Sequence, residues 1–125
     1  MYRIIFVCHG NICRSPAAEF IMADLLRKQG LEDAVSVCSR ATSFEEIGND
    51  TYPPMKRALA EANVPIYPRQ AARITQTDYD QSDAIYYMDQ SNLSYLRRIV
   101  DDRRGILRPI TELVPDLEEI EDPWY

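Results

Sequence analysis

The chain has 125 residues, 46% hydrophobic and 27% charged, with a net charge of −6. That length suits one domain with its own core, and the ordinary composition excludes a disordered chain. The acidic balance argues against nucleic acid or an anionic membrane surface as the principal partner. Taken in order, Arg3–Val7 reads as a first strand through the apolar run Ile4-Ile5-Phe6-Val7. A loop follows, then a helix over Ala17–Lys28 opened by Pro16 and stopped at Gly30. Ala34–Cys38 is a second strand, and Pro53-Pro54 opens a helix running through Met55, Ala58, Leu59 and Ala62. Ala84–Met88 is a third strand, Asn92–Val100 a helix with one apolar face, and Ile106-Leu107 the start of a short fourth strand. This alternation predicts a single α/β domain over residues 1–125: a four-stranded parallel twisted sheet, helices on both faces, and a phosphate-binding loop after the first strand. No apolar run is long enough to span a membrane and no secretory signal is visible. Three cysteines, two of them five apart in one loop, do not form a disulfide framework, so a reducing, cytoplasmic setting without membrane insertion is expected.

The loop carries the chemistry. Residues 8–15 read Cys-His-Gly-Asn-Ile-Cys-Arg-Ser. Backbone N–H groups of a tight loop, followed by those of a helix's first turn, make a concave anion site. Gly10 and Asn11 suit the positive φ values such a curl needs. Arg14 offers a planar fork of donors matching two phosphate oxygens. Cys8, at the mouth of this positive well and at the carboxyl end of the first strand, is favoured as thiolate. Ser15 can donate to its sulfur. Cys-x5-Arg alone is a weak signal in an arginine-rich chain, where Cys8 is equally a small buried residue. The strand before it, Gly-Asn inside it and Ser-Pro after it make the signal specific.

A thiolate attacking phosphorus needs a proton donor for the leaving oxygen. The far end of the chain offers one in Glu121-Asp122-Pro123-Trp124-Tyr125. Pro123 stiffens the chain after Asp122, and two aromatics follow. The bland alternative is a solvated acidic patch formed with Asp116, Glu118 and Glu119. The loop upstream favours the catalytic reading.

With Val7-Cys8, Gly10 through Pro16, Ser39, Ala41-Thr42, Gly48-Asn49, Met88-Asp89, Asn92-Leu93 and Asp122 through Tyr125, the chain resembles the low-molecular-weight protein tyrosine phosphatases over essentially its whole length. The resemblance implies hydrolysis of protein phosphotyrosine and small aryl phosphates through a phosphocysteine on Cys8. Arg14 binds the phosphoryl oxygens, and Asp122 acts as general acid and then base. His9, Gly10, Asn11, Ile12, Cys13, Arg14 and Ser15 form the phosphate site. Asn11 holds the loop shape with help from Ser15 and Ser39. Phe44, Trp124 and Tyr125 wall the phenyl ring. Cys13 is either a packed residue under the loop or a redox partner that shields Cys8 from overoxidation, and Cys38 is core. No metal or other cofactor is expected, and the protein is expected as a monomer or weak homo-oligomer.

Three positions depart from the family pattern. His9 stands where an apolar residue is usual, at the pocket mouth. Arg69 replaces a histidine that braces the loop asparagine in several relatives, which puts that brace in question. The chain ends at Tyr125, where relatives usually continue into a further helix, so exposed apolar surface is expected. Two rival activities share the fold. Arsenate reduction needs relay cysteines, and none follows Cys38. Phosphoarginine hydrolysis goes with a small threonine where this chain has Ile12.

Overall fold

A computed structural model describes residues 1–113. Within them, β1 (Tyr2–Cys8), α1 (Arg14–Lys28), β2 (Val35–Ala41), α2 (Pro53–Glu61), α3 (Gln76–Asp80), β3 (Ala84–Tyr87), α4 (Gln90–Ile99) and β4 (Leu107–Pro109) follow in order, and a 3-10 turn spans Ile110–Glu112. The four strands form one sheet in the order β2-β1-β3-β4, every pair parallel.

The consecutive apolar residues of β1 reflect a strand covered on both faces. Successive side chains alternate between those faces. Ile5 and Val7 join Ile85, Leu96 and Val100 in a core that also takes in Ile74 and Tyr79, beneath α3 and α4. Phe6 and Cys8 belong to a second core with Met88 and Ile110, packed against Ala18 and Met22 of α1. Helices therefore flank both faces, as the strand–helix alternation implies. From β1 the chain departs to one side for β2 and to the other for β3. The crevice at that switch point opens at the carboxyl end of β1, where Cys8 stands.

Several boundaries move. α1 begins at Arg14, three residues before Ala17, so Pro16 lies inside the first turn, where its missing N–H breaks no helical bond. β2 runs on to Ala41, because its parallel ladder with β1 continues through the pairs Val7–Arg40 and Cys8–Ala41; on its other edge Ala41 N donates to Ala72 O (2.7 Å) and Ala41 O accepts from Ile74 N (2.8 Å). That extension places Ser39 inside a strand. α4 opens at Gln90, since Asp89 and Asn92 form a reciprocal capping box: Asn92 N donates to Asp89 Oδ1 (2.8 Å) and Asp89 N to Asn92 Oδ1 (3.2 Å). α3 has no counterpart in the sequence reading. Its five residues are too few to show a helical period, although Thr75 and Asp78 form a capping box at its start.

Candidate active site

Cys8 is the last residue of β1 and is buried. Its sulfur is met from two directions. Asn11 N donates to Cys8 Sγ at 3.2 Å, and Ser15 Oγ lies 3.0 Å from the same atom. Asn11 Nδ2 donates to Ser15 Oγ at 2.8 Å. The Ser15 oxygen thus accepts from Asn11, which leaves its own proton to point at sulfur once Cys8 is a thiolate. The first helical bond runs from Ala17 N to Cys13 O at 3.1 Å. The loop therefore passes directly into the amino terminus of α1, where the helix dipole favours an anion.

The curl turns on Asn11, fully buried with φ 60°. Among residues 8–15 it alone takes the left-handed conformation. Gly10 does not, contrary to the reading that both need positive φ. Gly10 instead lies beside Glu46, whose Cγ a Cβ there would touch at 3.4 Å. The left-handed Asn11 is held from outside the loop. Arg69 Nη1 donates to Asn11 O at 2.8 Å, Arg69 Nη2 donates to Asn11 Oδ1, and Ala72 N donates to the same Oδ1 at 3.2 Å. An arginine thus makes the brace that the missing histidine had put in question. Burial pushes the Arg69 guanidinium below its ordinary value, while Glu19, Asp50 and Cys8 pull it back.

Ser39 is corrected. Its Oγ donates to Glu19 Oε1 at 2.6 Å, so it ties β2 to α1, and among the described residues its side chain makes no hydrogen bond to the loop it was expected to support. Tyr67 donates to the other oxygen of the same buried Glu19. Burial, with Glu19 beside it, raises Tyr67 far above the usual phenol range. Cys38 is partly buried behind this group, and burial pushes its thiol up, in keeping with a packing role.

Arg14 is the first residue of α1, and its side chain is 4% exposed. Its Nη1 donates to Asp89 Oδ2 at 2.8 Å. Asp89 therefore caps α4 with one oxygen and anchors the loop arginine with the other, a role missed because the partners lie 75 residues apart. Ile12 and Cys13 pack on Ala71, Tyr52 and Met55, and Tyr52 N donates to Ile12 O at 2.8 Å. His9 is at the rim beside Glu45 and Tyr95. Phe44 is 68% exposed on the adjoining loop, with the Arg73 guanidinium 4.2 Å above its ring. Asp122, Trp124 and Tyr125 lie outside the described residues. Among the described residues no cluster of His, Cys, Asp and Glu is placed to hold a metal, and no helix is long and apolar enough to cross a membrane.

A buried sulfur held by an amide and a hydroxyl, at a helix amino terminus and with a guanidinium anchored alongside, suits a thiolate that attacks a bound phosphoryl group. Known proteins resemble this chain along its whole length. The family described as low molecular weight phosphotyrosine protein phosphatase matches residues 3–125. The low molecular weight protein-tyrosine-phosphatase YfkJ of Bacillus subtilis is 32% identical over 128 residues, covering 100% of this chain and 82% of the relative. PtpA of Staphylococcus epidermidis, of the same description, is 35% identical over 127 residues, covering 100% and 80%. The crystal structure of YfkJ superposes with a TM-score of 0.94 at 31% identity, covering 100% of this chain and 80% of that one. The loop, the parallel sheet that carries it and these relatives lead to one conclusion: the chain is a phosphatase of the low-molecular-weight protein tyrosine phosphatase family.

Proposed function

We propose that the protein hydrolyses phosphotyrosine in cytoplasmic proteins, and small aryl phosphates, through a phosphocysteine on Cys8. The phosphoryl group enters the loop with two oxygens on the Arg14 fork. The Cys8 thiolate attacks phosphorus, and the bond from phosphorus to the tyrosine oxygen breaks. Asp122, as the carboxylic acid, protonates the departing phenolate. The Asp122 carboxylate then takes a proton from water, whose oxygen attacks phosphorus. The sulfur–phosphorus bond breaks, inorganic phosphate leaves, and the Ser15 hydroxyl stabilises the returning thiolate. Trp124, Tyr125 and Phe44 flank the phenyl ring. Cys13, five residues from the nucleophile in the same loop, is the thiol that would pair with Cys8 under peroxide.

The observation that carries this reading is the double hold on Cys8 Sγ by Asn11 N and Ser15 Oγ. Ile12, where phosphoarginine-specific relatives have a threonine, supports phosphotyrosine. The test is steady-state turnover of an aryl phosphate by wild type, Cys8→Ser and Asp122→Ala. Cys8→Ser should be inactive. Asp122→Ala should lose about 100-fold or more in kcat, the share of a positioned proton donor. Substantial activity in Cys8→Ser would refute the mechanism. Phosphoarginine peptides turned over faster than phosphotyrosine peptides would refute the substrate.

A further inference from the structure

The rim of the loop carries a carboxylate that the chemistry above does not use. Residues 42–45 are tied to the loop through Thr42 and Ser43. Thr42 N donates to Cys8 O at 3.1 Å, Ser43 N and Oγ donate to His9 O at 3.1 and 2.9 Å, and Glu45 N donates to Ser43 Oγ at 3.4 Å. Glu45 is thereby held beside the residue that follows the nucleophile. Its Oε2 lies 3.1 Å from His9 Nε2, and Tyr95 stands edge-on to the His9 ring with centroids 6.0 Å apart. The Glu45 side chain is 62% exposed, and its Oε1 makes no hydrogen bond among the described residues.

Two guanidinium groups of this region are engaged on aromatic rings. Arg73 lies over Phe44 and donates to Thr42 O, and Arg98 lies over the Tyr95 ring. Glu46, one residue on, runs along Gly10 and accepts from Asn49 Nδ2 at 2.7 Å, adding negative charge to the same rim. A phosphotyrosine whose phosphoryl group sat in the loop would carry its flanking residues across this rim, within a Debye length (about 8–10 Å) of Glu45.

We propose that Glu45, oriented by His9, selects phosphotyrosine peptides carrying lysine or arginine next to the phosphorylated residue, an inference that rests on the phosphotyrosine reading above. A cation there meets the open Oε1, and an acidic residue is repelled. The contact is solvent-exposed, so the discrimination is about twofold to fivefold per charge step.

The test is kcat/KM for three phosphotyrosine peptides that differ only in having Lys, Ala or Glu on both sides of the phosphorylated residue. Wild type should rank them Lys above Ala above Glu. The spread should shrink in about 0.5 M salt. Glu45→Gln should narrow the spread to the part Glu46 leaves, and Glu45→Lys should narrow it further or invert the order. These are ratios within one variant, so a general loss of activity leaves them readable. Equal rates in wild type, or a spread undiminished in Glu45→Gln, would overturn the proposal. Turnover of aryl phosphate with equal peptide rates sinks this inference alone. No turnover of either substrate by wild type sinks the phosphotyrosine reading with it.

Discussion

Removing the Arg69 brace should disable the loop without unfolding the protein. Arg69→Ala deletes two charge-assisted hydrogen bonds, one to Asn11 O at 2.8 Å and one to Asn11 Oδ1. Such bonds contribute about 1.5–3 kcal/mol each. The second is partly replaced, because Ala72 N also donates to Oδ1, and Arg69 is only partly buried. A net loss of about 2 kcal/mol from the curled state follows. The strain of a left-handed asparagine, on the order of 1 kcal/mol, is common to both proteins and is what the brace opposes. A loop that leaves this curl loses the Asn11 N–H on sulfur and the Asn11 amide on Ser15 together. The expected consequence is a fall in kcat/KM for an aryl phosphate on the order of 30-fold. Arg69→Lys supplies one point charge without the fork and should fall between the two. Alkylation of Cys8 by iodoacetate, itself an anion drawn to the loop, should slow in the same order. Thermal midpoints should show both variants folded, since the cores beneath α1 and α4 are untouched. An Arg69→Ala enzyme within threefold of wild type would show that Asn11 keeps its shape unaided and would refute this account.

Three further outcomes follow from the same geometry. Ser15→Ala leaves the Asn11 amide without its acceptor and the sulfur without its hydroxyl, so kcat should drop about 10-fold or more while the fold persists, measured with an aryl phosphate. Asp89→Asn keeps a good helix cap but removes the charge that anchors Arg14; kcat/KM should fall about 10-fold, with stability changing by less than about 1 kcal/mol in urea titrations. Asp50 is lowered from its ordinary value chiefly by its hydrogen bond to Lys56, with Thr51 and Arg69 amides adding to it. A carboxylate lowered by folding stabilises above its unfolded value, and that contribution disappears as pH falls through the folded one. Asp50→Asn should therefore be less stable than wild type at neutral pH, by under about 1 kcal/mol at so accessible a site, and the gap should close below about pH 4.

What could be read from the sequence, and what could not, divides by the range of the interactions. β1 was legible because four consecutive apolar residues leave no polar face, which is the mark of a buried parallel strand. The anion loop was legible because its parts lie within eight residues: the sulfur, the curl and the hydroxyl answer one another locally. The start of α1 was misplaced for a local reason as well. Pro16 reads as an opener, yet a first turn accepts proline anywhere its amide would go unused. The braces were a different matter. Arg69 reaches Asn11 across 58 residues and Asp89 reaches Arg14 across 75, and no spacing rule encodes either pair. Ser39 shows the same limit from the other side, since its resemblance to a loop-supporting serine fails once β2 aims it at Glu19. One signal for Asp89 does lie in the sequence: the capping pair Asp89 and Asn92 follows β3 directly, and in a parallel sheet that places the start of α4 at the same end as Cys8. The nucleophile is thus specified within a few residues of sequence, whereas the rigidity that makes it useful comes from segments that meet it only because the strands run parallel and end together.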